Sequence, residues 1–174
     1  IKTSYQNIEI YAKDSDNNIY AVGYYVGNGI SLNNGKFLDG PSGADGFIIK
    51  FDNNGVCQWA DKIYGNNMDL AFNISIDKNN KIRVMGQFSS PSLYANNGIE
   101  LISGHPTGDD IYCVTYDTAG VCSSIVYIIG NFENYMHRNY ISYDSLGNYY
   151  LSASYRNKDL NINGAFNLPL YNNI

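Results

Sequence analysis

The stretch FDNNGVC at 51–57 returns as YDTAGVC at 116–122, with the aromatic, the Asp, the Gly and the Val-Cys pair in the same places 65 positions apart. The repetition continues outward without a gap: ADGFIIKFDNNGVCQWADKIYG (44–65) lies over DDIYCVTYDTAGVCSSIVYIIG (109–130). Before each motif the side chains alternate, Phe47, Ile49 and Phe51 in one copy and Tyr112, Val114 and Tyr116 in the other, which is the period of a strand. Asp-x-x-Gly then supplies a carboxylate for local backbone N–H groups and a residue free to take a positive φ. The motif is predicted to be the corner of a β-hairpin.

A second hairpin occurs three times, in IEIYAKDSDNNIYAVGYY (8–25), FNISIDKNNKIRVMGQF (72–88) and NYISYDSLGNYYLSASY (139–155). Ile10, Ile74 and Ile141 align, as do Ala12, Ile76 and Tyr143, when the first copy has one extra residue in its turn. After the turn, Ile19, Ala21, Gly23 and Tyr25 match Ile82, Val84, Gly86 and Phe88, and then Tyr149, Leu151, Ala153 and Tyr155. Glycine weakens a strand interior, so the small residue at Gly23, Gly86 and Ala153 predicts the close approach of another backbone, that of a neighbouring sheet. Asn34-Gly35, Asn97-Gly98 and Asn163-Gly164 predict a short ribbon between the second and third strands of each unit. No window carries a sustained helical period, and the chain reads as all-β.

The chain has 174 residues, enough for one ordinary domain. It is 44% hydrophobic and 16% charged, a globular composition, and its net charge of -5 offers no excess of cations to neutralise phosphates. Nucleic acid is therefore excluded as a partner. The apolar run IVYII at 125–129 is far short of the roughly 18–20 residues that span a bilayer, so no membrane span is expected. The start at Ile1, with no initiator Met and no basic or apolar leader, suggests a piece of something longer or a processed product. Cys57 and Cys122 stand one repeat apart, too far for a disulfide, and are expected as buried free thiols.

Four antiparallel strands with apolar residues on both faces must stack on similar neighbours. Radial stacking gives a β-propeller; the hairpin corners argue against a linear solenoid. The residues resemble the bacterial-type β-propeller repeats often labelled SBBP, whose unit runs D-x-x-G-N-x-Y-V-x-G-x-F, a variable arm, D-x-F-V-x-K-x-D-x-x-G-x-x-x-W and a closing G. DNNIYAVGYY (16–25), DGFIIKFDNNGVCQW (45–59) and Gly65 match one full copy. The second unit keeps the frame but has Ser124 where Trp59 stands, and the third has Ala153 for the glycine. The resemblance implies a propeller, extracellular or surface-exposed, with no catalytic residues attached to the motif.

The expected architecture is thus one β-propeller segment over 1–174, a partial ring of about 2.6 repeats of 63–67 residues, each blade having four antiparallel strands. Blade 1 covers about 8–65, blade 2 about 70–130 and an incomplete blade 3 about 138–174. A ring of four to eight such blades needs about 260–520 residues, so the remaining blades are expected from further chain or from other protein subunits.

Residues that recur are structural by this logic, and chemistry would occur once. Asp14, Asp52, Asp77, Asp117 and Asp144 are read as turn formers. Asp14, Asp16 and Asn18 have the alternate spacing of a Ca²⁺ loop but lack its later acidic ligand. His105 and His137 have no companions at metal-ligand spacing, and the sequon at 73–75 falls inside a predicted strand. Asp45, Asp109 and Asp110 open third strands and could meet at one rim, although nothing in the sequence indicates burial. The tyrosine pairs Tyr24–Tyr25 and Tyr149–Tyr150 are the place to seek a binding face. No catalytic, cofactor-binding or metal-binding residue is assigned. The expectation is a non-enzymatic structural, assembly or adhesion module, on a cell surface or in a virion. The alternative is a glycan- or small-ligand-binding propeller, and after it a propeller hydrolase or lyase using Asp109 or Asp110.

Overall fold

The computed structural model describes residues 5–40, 43–102, 110–129, 140–143, 148–152, 160–162 and 166–168. Every element among them is a strand, and every ladder between strands is antiparallel. The first unit comprises β1 (Tyr5–Lys13), β2 (Ile19–Val26), the ribbon β3 (Gly29–Ser31) and β4 (Phe37–Asp39), then β5 (Asp45–Phe51) and β6 (Cys57–Ile63). The second repeats this order in β7 (Asp69–Ile76), β8 (Ile82–Phe88), β9 (Ser92–Tyr94), β10 (Glu100–Ile102), β11 (Asp110–Tyr116) and β12 (Cys122–Ile129). Of the third, β13 (Tyr140–Tyr143), β14 (Tyr149–Ser152), β15 (Leu160–Ile162) and β16 (Phe166–Leu168) are described.

The corners form as their residues dictate. One carboxylate oxygen of each of Asp14, Asp52, Asp77 and Asp117 accepts the backbone N–H groups two and four residues on, at 2.8–3.0 Å. The residue three positions on is Asn17 (φ 63°), Gly55 (76°), Asn80 (55°) or Gly120 (85°), so Asn substitutes for Gly in the left-handed region. Asp144 and Asn163-Gly164 lie outside the described residues. In the ribbons, positive φ at both Asn34 and Gly35, and at both Asn97 and Gly98, makes the tight turn that the Asn-Gly signal predicts.

Two expectations for the first hairpin are corrected. The turns after Asp14 and Asp77 are the same length: Lys13 faces Ile19 as Ile76 faces Ile82. Tyr11, not Ile10, therefore matches Ile74, and no extra residue sits in the first turn. The second correction concerns the glycines. A Cβ on Gly23 would collide with the carbonyl oxygen of Asn7, and one on Gly86 with that of Leu70. The close backbone belongs to the adjoining strand of the same sheet, not to a neighbouring sheet. The ladder shifts at this point, between Ile8 and Ile10 in β1 and between Ala71 and Asn73 in β7. A bulge buckles the first strand toward the second, and only glycine leaves room. Ala153 lies outside the described residues.

The first sheet has the order β1-β2-β5-β6. The second is not four-stranded as expected but six-stranded, β16-β15-β12-β11-β8-β7, because the ribbon of the third unit pairs with the last strand of the second. Across the main sheets, Tyr20, Val22, Ile48 and Ile63 of the first unit share one core with Ile74, Val84, Phe88, Tyr112, Val114 and Tyr116 of the second. The opposite face of the first sheet buries Phe47, Ile49 and Cys57 under Ile30 and Leu38 of its ribbon. The first strands of the units lie side by side, β1 against β7 and β7 against β13.

Gly86→Ala is expected to destabilise the chain by about 2–3 kcal/mol, by overpacking against the Leu70 carbonyl and Tyr112. Gly98→Ala, where nothing lies within 4 Å, should cost about 1 kcal/mol from its positive φ alone. Denaturant midpoints of the two variants measure the difference.

Candidate functional site

Two places gather polar side chains: an acidic end, where the third strands begin, and the seam between the first two units. At the acidic end, Asp45 and Asp110 occupy matching first positions of β5 and β11, as the repeat requires. Both are only 1% exposed, a burial the sequence did not signal. Asp109 lies outside the described residues. The sequence reading also passed over Asp69, which is 0% exposed. Its backbone N–H donates to Ala44 O (2.7 Å), tying β7 to the first unit. Its Oδ2 accepts the Ser90 hydroxyl (2.7 Å), and Ser90 Oγ accepts the Asn67 N–H (2.9 Å).

Burial pushes the Asp69 carboxyl up to about 6, against the opposing pull of the Ser90 hydroxyl. Tyr112 is held well above the usual tyrosine value, first by burial and then by the charges of Asp69, Cys113 and Asp45. Its hydroxyl donates to Leu70 O (3.0 Å). A carboxyl near 6 can exchange a proton close to neutrality. Asp69 and Asp110 flank Phe88 from the strands on either side of β8, their backbones about 10 Å apart by strand spacing. The signal that could have singled out Asp69 was its uniqueness: the first unit has Gln6 at the same register.

The other candidates resolve individually. Asp14 spends its carboxylate on its own turn, with Asn18 Nδ2 (2.8 Å) and Tyr20 Oη (2.9 Å) donating to Oδ2. Burial alone would raise its pKa, but these bonds and the turn N–H groups outweigh it and hold it below 3.8. Among the described residues no three His, Cys, Asp or Glu side chains are placed to hold a metal ion. His105 and His137 lie outside those residues. Asn73 of the sequon is buried in β7. Tyr25 is not on a binding face: it is buried, with its hydroxyl donating to Asp39 O (2.7 Å). Tyr24 is half-buried, its ring beside that of Tyr5, whereas Tyr150 is exposed. The three thiols are free, and burial raises Cys113 to about 12 and Cys122 to about 11, leaving both protonated at neutral pH.

At the seam the opening motif meets its second set of partners. The ribbon asparagines bind the corner of their own unit. Asn33 Nδ2 donates to Gly55 O (2.7 Å) and Asn33 Oδ1 accepts the Cys57 N–H (2.7 Å). Asn96 repeats both bonds with Gly120 (2.6 Å) and Cys122 (2.8 Å). The preceding unit then packs on that corner. Trp59 stacks on Tyr116 (6.0 Å, 29°), donates its indole N–H to Thr118 O (3.1 Å) and covers Gly120. Asp61 Oδ2 accepts the Tyr116 hydroxyl (2.8 Å) and the Asn96 N–H (3.2 Å), although burial raises its pKa. Tyr64 and Tyr94 exchange backbone hydrogen bonds (3.0 and 2.8 Å), so the tail of the last strand hooks onto the next ribbon. Ile129 pairs with Asn161 in the same way.

No family model matches the chain, and no curated protein matches it either. Among the described residues no helix is long and apolar enough to cross a membrane.

The Asp69 carboxyl titrates near 6 in the folded protein and near 3.8 when unfolded. The folded state therefore holds this proton more tightly, and the resulting stability is complete below 3.8 and lost as pH rises through about 6. Its size is about 2–3 kcal/mol. Asp69→Asn keeps the shape of the protonated form, so its unfolding free energy should exceed that of the parent at neutral pH and match it near pH 4. Equal pH profiles would contradict the burial argument.

Proposed function

We propose that the chain is a non-enzymatic segment of a β-propeller, whose units serve in assembly or adhesion at a cell surface or in a virion. The observation that carries this reading is the seam. The residues that recur, the corner Asp and Gly and the ribbon Asn, spend their hydrogen bonds inside their own unit, while Trp59 and Asp61 of the first unit bond to the corner, ribbon and Tyr116 of the second. Side-by-side first strands and strand tails hooked onto successive ribbons are what radial stacking of blades would require. The resemblance to the bacterial-type propeller repeats supports the same reading, and the partners it implies are other blades of the same ring or other protein subunits.

Trp59→Ala removes the stack on Tyr116 and the bond to Thr118, and is expected to lower stability by about 3 kcal/mol. Thermal unfolding measures it. A glycan-array screen should return no competable submicromolar binding, and chromogenic glycosides should not turn over. Tight binding of one sugar would replace this reading with the ligand-binding one. Turnover abolished by Asp110→Asn would replace it with the hydrolase one.

A further inference from the structure

One face of the second unit is covered by the first unit, and among the described residues the matching face of the first unit is bare. The two correspond position by position. An added Cβ at Gly120 would come within 2.5 Å of the Trp59 indole, whereas its counterpart Gly55 has nothing within 4 Å. Tyr94 is paired to the strand tail at Tyr64; its counterpart Ser31 is exposed, and β3 has only β4 as a ladder partner among the described residues. Ala71 is fully buried, whereas Ile8 at the same register is 64% exposed. Between these points lies a cavity of about 310 Å³ lined by Ile8, Ala21, Ile30, Leu32, Phe47 and Phe51. The matching residues Ala71, Val84, Leu93, Tyr112 and Tyr116 belong to the shared core that Tyr20, Val22 and Ile48 complete.

We propose that this face docks a further four-stranded unit of the same repeat, which lays an indole over Gly55 and Phe51 and runs the tail of its last strand along Ser31. The inference rests on the assembly reading and names the partner. A small ligand would fill the cavity but would leave the bare corner and the open strand edge uncovered. The strand-tail contact already occurs at Tyr64–Tyr94 and at Ile129–Asn161, so the edge at Ser31 is the next place of the same kind. Phe51 stands where Tyr116 donates its hydroxyl to Asp61. The incoming unit therefore carries an apolar residue in place of that acid, as the second unit does at Val126.

The test adds the proposed partner to residues 1–174. Residues 1–68, with Asp61→Val, are joined ahead of residues 6–174, which preserves the 63-residue offset between Gln6 and Asp69. The extended chain is expected to melt in one transition at a higher Tm than the natural chain, with blue-shifted emission from the added indole. Gly55→Asn is the decisive variant, because Asn already occupies the equivalent corner position at Asn17 and Asn80. It should leave the natural chain unchanged and lower the Tm of the extended chain by several degrees. An added unit that melts separately, with Gly55→Asn silent in both chains, overturns the proposal. So does self-association of the natural chain that Gly55→Asn abolishes in sedimentation velocity, since the occupant is then a second copy. Gly120→Asn in the natural chain tests the underlying reading: if it is silent, the Trp59 seam itself fails, whatever the extended chain does.

Discussion

The structure depends on satisfying the polar backbone of a hairpin corner that projects past the end of its ladder. Where Trp59 buries the corner at Gly120, its backbone groups must find partners within the protein, and the turn's own bonds leave the Gly120 carbonyl and the Cys122 N–H to be met. The ribbon asparagine meets the need: Asn33 binds Gly55 and Cys57, and Asn96 binds Gly120 and Cys122. Those bonds hold the ribbon down over one face of the sheet, where Ile30 and Leu38 close over Phe47 and Cys57. They also set Gly120 and Tyr116 at the height where Trp59 of the preceding unit can cover them. The corner thus links the interior of one unit to the surface of the next.

Polar side chains in the core follow from this arrangement. Asp61 remains buried because it receives two donors from the next unit, and one of them, the Asn96 N–H, comes from the ribbon that the corner holds. Asp69 is satisfied on one side only: the Ser90 hydroxyl reaches Oδ2, while Oδ1 is buried without a hydrogen bond. An acid so placed is destabilising when ionised, and burial accordingly moves its titration toward neutrality. Gln87, on the same unit, is also buried with neither side-chain polar atom bonded. Polar satisfaction is complete at the corner aspartates and ribbon asparagines, and one oxygen stays without a hydrogen bond at each of Asp45, Asp69 and Asp110.

The hairpin corners, the ribbons and the all-β character were legible because each rests on a local rule: an Asp that bonds its own turn, an Asn-Gly pair at positive φ, an alternation of period two. The role of Gly23 and Gly86 was half legible. A small residue signalled close approach, but the approaching backbone is set by a bulge in the neighbouring strand, and a bulge leaves no mark on the alternation of the strand it faces. The acidic end was less legible still. Asp45 and Asp110 were found by their matching positions, yet their burial, and the existence of Asp69 beside them, depend on how two sheets meet.

The sequence by itself determined which residues turn, which extend and which recur, because those choices are made by the backbone conformations open to Asp, Asn and Gly over spans of a few residues. Only the tertiary structure decided that Trp59 covers Gly120, that Asn33 and Asn96 bind the corners, and that a ribbon joins the last strand of the unit before it. Those contacts join residues some 20 to 60 positions apart in the chain. No local preference encodes them; they arise when apolar faces close and the polar groups between those faces must find one another.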